Sequence, residues 1–315
     1  MIPNPAPGES ARVIATVPGI EPQWPIPVTV VRGLGDGPRL TVTAGIHAAE
    51  YPGIAAAIRL GREINPENLQ GTLVIAAPVN LPGFYERAVY VNPIDGQNIN
   101  RVFPGRPDGS PAERVAHFLM TEVIAGSDAF VDLHGGDMVE ALVPFALYMT
   151  LGGNDVERRS REIAGAYDLD YIIAGPPGTV SGAAYAAAAS AGIPAVIAEV
   201  GQQGIYDQVS VARHLHGLRN VLIRLGMLTG VVERKVRPTY LSGSKWLHTD
   251  RDATYHPFVE VGEQVEEGQT IGELRDLFGE TLQVLKAPAT GPVLFLVTAL
   301  AVKKGDPLIG IGIAT

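Results

Sequence analysis

Hydrophobic positions along the first 225 residues alternate between short apolar runs and longer stretches with helical spacing. The run Thr72–Ala77 is apolar almost throughout, which is typical of a strand covered on both faces of a sheet. The stretch Tyr51–Ile64 has the spacing of an amphipathic helix. Strands that alternate with helices predict an α/β fold with a largely parallel sheet flanked by helices. The predicted strands are 13–17 and 27–31, both as edge strands, then 39–43, 72–77, 129–133, 144–150 and 195–198, and the predicted helices are 51–64, 110–124, 155–167, 181–191 and 208–225.

The clearest local signal is the start of the third of these helices. Ser110 has the side chain of a helix cap, and Pro111 suits the first helical position. Glu113 stands three residues after the cap, where its carboxylate completes a capping box. The sequence therefore predicts that the helix begins directly after Ser110.

The pattern changes after about residue 232, where helical spacing gives way to short strands and glycine turns. The segments 261–274 and 282–297 resemble the barrel-sandwich fold of biotinyl and lipoyl domains. We therefore predict an α/β domain over residues 1–231 and a small all-β domain over residues 232–315. No Met-Lys pair stands at the turn where such carriers bear their lysine, so we expect no covalent cofactor. The expected role of this domain is to wall an active-site entrance or to join subunits, and the sequence leaves a homo-oligomer open.

Composition and charge narrow the classes of function. The 315 residues carry 24 Lys and Arg against 33 Asp and Glu, a net charge of −9, so neither nucleic acid nor an anionic membrane is an expected partner. Cysteine is absent, so a transition-metal site must use histidines and carboxylates. The first ten residues lack a basic region and an apolar core, and no long apolar stretch predicts a membrane span. A cytoplasmic protein is the expectation.

Polar side chains follow four of the predicted strands directly. His47 and Glu50 come after strand 39–43, and Asn80 comes after strand 72–77. His134 ends strand 129–133, and Glu199 ends strand 195–198. Because ligands of open α/β sheets bind at the carboxyl ends of the strands, we expect these motifs to meet at one rim.

Three of these residues form a ligand set for a metal ion. His47 and Glu50 are three positions apart, which on one turn puts both side chains on the same side. His134 would add a second imidazole from another strand end, and two glycines after it indicate close backbone approach. Two histidines and one carboxylate suit a catalytic zinc, which keeps a position open for water. A His-x-x-Glu pair alone is commonly a surface coincidence, so the prediction depends on all three residues.

A second polar motif, NINRVFPG at 98–105, contains Asn100 and Arg101 between apolar neighbours. The plain interpretation is an Asn-rich surface loop. An arginine held among apolar side chains is also suited to bidentate recognition of a carboxylate.

Four motifs together resemble the succinylglutamate desuccinylase/aspartoacylase family over about residues 35–225: GIHAAEYPG, NLPGFYERAVYVNPIDGQNINRVFPG, VDLHGG and AVIAEVG. These are zinc hydrolases related in fold to the zinc carboxypeptidases, so the resemblance implies a zinc-carboxypeptidase-like mixed sheet. It implies one zinc ion per chain on His47, Glu50 and His134, and hydrolysis of the amide that joins a small acyl group to an amino acid. Glu199 would activate the water. The long loop before Arg101 is most similar to the bacterial branch that includes N-acetyl-diaminobutyrate deacetylases.

The resemblance also implies roles in substrate binding. Asn100 and Arg101 would bind a substrate carboxylate, and Arg87 would stabilise the oxyanion of the tetrahedral intermediate. If Arg87 instead caps a helix or pairs with a surface acid, the oxyanion donor lies elsewhere.

Three acidic residues near His134 complete the set of candidates. Asp132 lies two residues before His134 on the same strand face, where it either orients a zinc-bound imidazole or has a purely structural role. Asp137 and Glu140 follow the glycines and are candidates for selecting substrate by charge.

Three functions are compatible with these residues. The first is a zinc amidohydrolase acting on a small N-acyl amino acid. The second is a zinc carboxypeptidase acting on short peptides, which has the same chemistry but a more open groove. The third is a catalytically silent binding protein on the same scaffold. This function is disfavoured by the presence of all four candidate residues, His47, Glu50, His134 and Glu199.

Overall fold

Seventeen strands and six α-helices form residues 2–314, the part of the chain that the computed structural model describes. The helices are α1 (Tyr51–Glu63), α2 (Leu81–Glu86), α3 (Pro111–Phe118), α4 (Asp155–Tyr167), α5 (Ala184–Ser190) and α6 (Gln208–Arg224). The strands of the first 231 residues are β1 (Ser10–Val17), β2 (Trp24–Arg32), β3 (Gly35–Ala44), β4 (Gln70–Ala76), β5 (Ala129–His134), β6 (Glu140–Leu142), β7 (Phe145–Met149), β8 (Tyr171–Gly175) and β9 (Ala195–Glu199). The later strands are β10 (Thr239–His248), β11 (Ala253–Pro257), β12 (Gln264–Val265), β13 (Thr270–Arg275), β14 (Thr281–Lys286), β15 (Gly291–Val297), β16 (Ala301–Val302) and β17 (Pro307–Ala314).

One 13-stranded sheet organises the described residues, in the order β1-β2-β4-β3-β5-β9-β7-β8-β10-β17-β15-β12, with β6 paired to β15. Its central strands β4, β3, β5 and β9 are parallel, β7 runs antiparallel to β9, and β8 is parallel to β7. The predicted fold class, a mixed, largely parallel sheet flanked by helices, is therefore confirmed.

The expectation that β2 is an edge strand is wrong, because β2 lies between β1 and β4. The prolines of β2 suggested an edge strand, but they lie in the part of β2 that pairs with β1 alone. Pro25 and Pro27 pair with β1, whereas β4 pairs with Val28 to Arg32. A strand can accept proline where the missing N–H has no partner to lose.

Helices cover both faces of the sheet and explain the continuous apolar runs of its central strands. On one face Leu60 of α1, Ile163 of α4 and Leu218 of α6 are buried in a single apolar cluster. On the other face Val115 of α3 and Ala188 of α5 belong to a second cluster. The sheet thus lies between two apolar layers, as an α/β architecture requires.

The helix start predicted at Ser110 is confirmed. The Ser110 Oγ accepts a hydrogen bond from the backbone N–H of Glu113 at 3.3 Å, and the Glu113 carboxylate accepts one from the N–H of Ser110 at 2.9 Å. The helix continues beyond α3 as a π-helical turn over Leu119–Ile124. The predicted range 110–124 therefore corresponds to α3 and this turn together.

Four of the C-terminal strands, β10, β17, β15 and β12, belong to the large sheet, which they join through the parallel pairing of β10 with β8. β6 likewise pairs with β15. A second, four-stranded sheet contains β14, β13, β11 and β16 in that order. The β-rich character expected after residue 232 is confirmed, and the division into domains 1–231 and 232–315 stays a prediction. None of the helices within residues 2–314 is both long and apolar enough to cross a membrane.

Candidate active site

The site lies at the carboxyl ends of three neighbouring parallel strands. The turn after β3 carries His47 and Glu50, β5 ends at His134, and β9 ends at Glu199. His134 and Glu199 are directly paired in the sheet register, so both side chains project from the same face. The structure thus brings together four of the residues that the sequence singled out.

Each of the two imidazoles lies against one oxygen of the Glu50 carboxylate. His47 Nδ1 lies 2.7 Å from Glu50 Oε1, and His134 Nδ1 lies 2.8 Å from Glu50 Oε2. All three side chains are buried, and their nearest ligand atoms lie within 4.8 Å of one another. Two nitrogens and one oxygen gathered in this way match the donor set of a catalytic zinc site.

The second nitrogen of each ring has a partner of its own. His134 Nε2 lies 3.0 Å from Asp132 Oδ2, and His47 Nε2 lies 3.1 Å from Asn98 Oδ1. When each Nε2–H donates to these oxygens, each Nδ1 keeps a lone pair directed toward Glu50. This is the arrangement in which outer partners orient histidine ligands for a metal ion.

Electrostatics keep Glu50 charged despite its burial. Burial alone would raise the pKa of this carboxyl, but the adjacent His134 and His47 lower the pKa to about 2. In the opposite sense, Glu50 and Asp132 raise the pKa of His134 above its usual range, although burial opposes that change. The centre therefore holds a buried carboxylate that positive charge beside it keeps ionised, either on the imidazoles or on a bound cation.

One buried atom is consistent with a metal ion rather than a simple hydrogen-bonded cluster. Glu50 Oε2 makes no hydrogen bond, although His134 Nδ1 lies only 2.8 Å away, because the two atoms are not aligned for one. Buried polar atoms in folded proteins nearly always have a partner. A divalent ion between the two imidazoles and the carboxylate would satisfy this atom, so the residues present fit such an ion.

Asp132 acts on this centre through His134. It is fully buried, and its other oxygen accepts a hydrogen bond from Thr43 Oγ1 at 2.6 Å. The carboxylate is thus fixed from two sides and holds the His134 ring in place.

We expect Asp132→Asn to weaken zinc binding about 10- to 100-fold, since removing a partner that orients a ligand has that effect in metalloproteins. Competition with a chromogenic chelator measures the affinity. Asp128→Asn, an exposed change just before the same strand, is the matched control and should leave affinity unchanged. Equal affinities for the two variants would remove Asp132 from the metal site.

The glycines after His134 have the close contact that the sequence indicated. A Cβ atom on Gly135 would lie 2.5 Å from the carbonyl oxygen of Val200, so any larger residue would push β5 and β9 apart at their ends. Gly136 donates a backbone hydrogen bond to the carbonyl of Gly201 at 2.9 Å. These contacts fix His134 and Glu199 side by side.

A cavity of about 130 Å³ opens from this centre. Its polar residues are His47, Glu50, Asn100, Arg101, His134, Glu140, Glu199, Thr179 and Ser244. Arg101 is the one arginine or lysine among the described residues that line it. Asn100 Oδ1 accepts a hydrogen bond from the backbone N–H of Ala184 at 2.9 Å, and the amide nitrogen of Asn100 lies 3.3 Å from His134 Nε2. Both residues of the NINR motif therefore lie where a substrate carboxylate could meet them.

Glu199 has the environment of a proton-transfer group. Burial raises the pKa of its carboxyl well above the usual range, and the negative charges of Glu50 and Glu140 raise it further. Positive charge on the His134 imidazole opposes this shift and lowers the pKa of Glu199. A base with a raised pKa at the wall of a cavity is typical of catalytic sites.

Arg87 does not line this cavity. It lies at the carboxyl end of α2 in a left-handed conformation with φ of 56°, and its side chain is exposed. The short helix α2, which the hydrophobic pattern did not predict, determines where Arg87 lies in the structure. The structure therefore brings together every proposed site residue except Arg87.

Two other polar motifs have local structural contacts. Asn80 caps α2, because its side chain accepts a hydrogen bond from the N–H of Gly83 at 3.0 Å. The Asp137 carboxylate accepts hydrogen bonds from the backbone N–H groups of Tyr90 and Met138 at 2.8 and 2.6 Å. Glu140 does line the cavity.

Some side chains of the C-terminal strands line the cavity, although the sequence did not single them out. Ser244 and Trp246 of β10 and Phe295 of β15 line it. The expected role of this region is a wall at the active-site entrance, but no local signal marks these particular residues. Their position depends on pairing between strands that are distant in the chain, β10 with β8 and β15 with β6.

Comparisons with known proteins agree with this site. The succinylglutamate desuccinylase/aspartoacylase catalytic domain matches residues 36–225. The N-alpha-acetyl-L-2,4-diaminobutyric acid deacetylase of Halomonas elongata is 31% identical over 256 residues, which are 80% of this chain and 74% of that protein.

Solved structures share the whole fold. The product-bound ectoine utilization protein EutE (DoeB) from Ruegeria pomeroyi superposes with a TM-score of 0.90 at 26% identity, covering 99% of this chain and 98% of that one. A succinylglutamate desuccinylase from Silicibacter sp. TM1040 superposes with a TM-score of 0.87 at 28% identity, covering 100% of this chain and 97% of that one. The resemblance seen in the sequence is thereby confirmed, and the chain belongs to the succinylglutamate desuccinylase/aspartoacylase family of amide-hydrolysing enzymes.

Proposed function

We propose that this protein is a zinc-dependent deacylase that hydrolyses the amide bond of a small N-acyl amino acid. The observation that carries the proposal is the convergence of His47, Glu50 and His134 at one end of a cavity, with Glu199 on the neighbouring strand. The substrate named for the Halomonas relative, an N-acetylated diamino acid, is of this class.

His47, Glu50 and His134 would hold one zinc ion per chain. Zinc in such a site supplies Lewis acidity, which acidifies water and polarises an amide carbonyl. Asp132 and Asn98 keep the two imidazoles oriented for this task.

Glu199 would act as the general base and then as the general acid. Its carboxylate takes a proton from the attacking water and returns it to the nitrogen of the leaving amino acid, so that amide and water become a carboxylic acid and a free amine. The raised pKa of Glu199 favours both steps, because a weakly acidic carboxyl is a stronger base and holds its proton until the amine leaves.

Arg101 would bind the carboxylate of the amino acid, with Asn100 beside it in the cavity wall. The role of Arg87 as oxyanion donor stays a prediction, and its position as the C-terminal cap of α2 favours the alternative that the donor lies elsewhere.

An assay with zinc-loaded protein tests the proposal. We expect release of free amine from N-acetyl or N-succinyl amino acids, loss of that activity after chelation, and its return with added zinc. Cleavage of dipeptides in preference to N-acyl amino acids would instead favour a carboxypeptidase. Tight binding of N-acyl amino acids without hydrolysis would favour a silent binding protein.

A further inference from the structure

One end of the active-site cavity is apolar, and no catalytic role described above uses it. Beyond the metal-ligating side chains the cavity wall consists of hydrocarbon, chiefly Phe145, Leu147, Ile173, Ile197, Leu294 and Phe295. These side chains come from both the central sheet and the C-terminal strand β15.

The sheet register shows where this apolar end lies. His134 pairs with Glu199, and Glu199 pairs in turn with Phe145 of β7. Two residues earlier on β9, Ile197 pairs with Leu147, which pairs with Ile173 of β8. Paired residues project from the same face, so these side chains form one continuous floor.

This floor extends from Glu199 in the direction away from His134. Strands are spaced by about 4.8 Å, so β7 and β8 carry the floor roughly 10 Å beyond β9. That length accommodates a side chain of about four to six carbon atoms. Leu294 and Phe295 of β15 complete the apolar lining, and the Phe295 ring packs on Trp246 with 4.8 Å between ring centroids.

The chemistry of Glu199 decides which half of a substrate faces this floor. A carboxyl that returns its proton to the leaving nitrogen must lie beside that nitrogen. The acyl carbonyl then faces His47, Glu50 and His134, and the groups attached to nitrogen extend past Glu199 over Phe145 and Leu147.

We propose that the apolar end binds the side chain of the amino-acid half, so that this enzyme selects N-acyl amino acids with apolar side chains. The inference rests on the proposed deacylase function and adds the substrate class. The α-carboxylate would meet Arg101, and an uncharged alkyl, thioether or aromatic side chain would cover the apolar floor.

Charged side chains fit this end poorly. An aspartate or ammonium side chain would lose its hydration against hydrocarbon without a partner. Glu140 also lines the cavity, but it is already engaged: it accepts a hydrogen bond from the N–H of Asp137 at 2.9 Å, and Tyr90 lies beside it. Burial raises the pKa of Glu140 to about 7, so it is a weak counter-charge for an amine.

Substrate selectivity of the zinc-loaded protein tests the inference. We expect kcat/KM for N-acetyl derivatives to rise about tenfold or more from alanine to leucine or methionine, since each methylene in an apolar pocket is worth at least that much. The aspartate, glutamate and 2,4-diaminobutyrate derivatives should be slower than leucine by a similar factor or more. A second series, with leucine fixed and acetyl exchanged for longer acyl groups, should show no comparable gain.

A pocket variant adds an independent measurement. Leu147→Ala enlarges the floor and should move the preference from leucine toward phenylalanine derivatives. The matched control is Leu218→Ala, which removes an equally buried side chain of α6 far from the cavity and should leave the preference unchanged. The ratio of two kcat/KM values in one preparation does not depend on the fraction of folded protein.

Two results would overturn the inference while leaving the deacylase function intact. One is faster hydrolysis of acidic or diamino derivatives than of leucine or methionine derivatives. The other is a preference set by acyl length, which would place the acyl group in the apolar end. Failure to hydrolyse any N-acyl amino acid would overturn both the function and the subsite.

Discussion

Glu199→Gln should lower the deacylase kcat by about 1,000-fold while the protein still binds zinc. General acid–base groups contribute about 100- to 10,000-fold, and Glu199 is proposed to serve as base and acid in the same reaction. The glutamine has nearly the same shape, and Glu199 is not one of the three residues, His47, Glu50 and His134, whose ligand atoms converge. Steady-state rates and zinc content of the same preparation measure the two effects separately.

Glu140→Gln is the matched control for this substitution, because Glu140 lines the same cavity and is also a buried carboxyl with a raised pKa. It should cost less than tenfold in kcat. A Glu199→Gln protein with more than a tenth of the normal rate would remove Glu199 from the chemistry.

His134→Ala should lower zinc affinity by at least about 100-fold and abolish the deacylase activity. The total binding free energy of a structural zinc site is about 10–16 kcal/mol. A site with only three protein ligands loses a large part of its binding free energy when one ligand is removed. His47→Ala and Glu50→Gln should have the same effect, since each supplies one of the three converging ligand atoms.

Calorimetric titration of metal-free protein with zinc measures these affinities. His248→Ala is the matched control, because His248 is an exposed histidine at the end of β10 and should be without effect. Wild-type affinity in His134→Ala would show that the ion binds elsewhere.

The site was predictable to the extent that it depends on local sequence. His47 and Glu50 share one turn, and the strands before His134 and Glu199 are apolar runs whose parallel alignment follows from the alternation of strands and helices. Parallel strands present their carboxyl ends at one edge, so the meeting of these side chains needed no knowledge of the loops. The capping box at Ser110 was predictable for the same reason, because its hydrogen bonds join residues three positions apart.

Features that depend on distant pairing were not predictable. The strand β8 is only five residues long, and each of its partners, β7 and β10, is separated from it by more than twenty residues of sequence. The position of Arg87 likewise depends on α2, a six-residue helix that begins at the Asn80 cap. The apolar floor became visible only from the register of β9, β7 and β8, since the hydrophobic pattern alone does not say which strands are neighbours.

The most direct test of the account is a crystal structure of the zinc-loaded protein with anomalous diffraction measured on both sides of the zinc absorption edge. A zinc ion at the proposed site should give one strong anomalous peak per chain, about 2.0–2.2 Å from a nitrogen of His47, a nitrogen of His134 and an oxygen of Glu50. Absence of a peak at these residues, or a peak bound by other side chains, would contradict the proposed site.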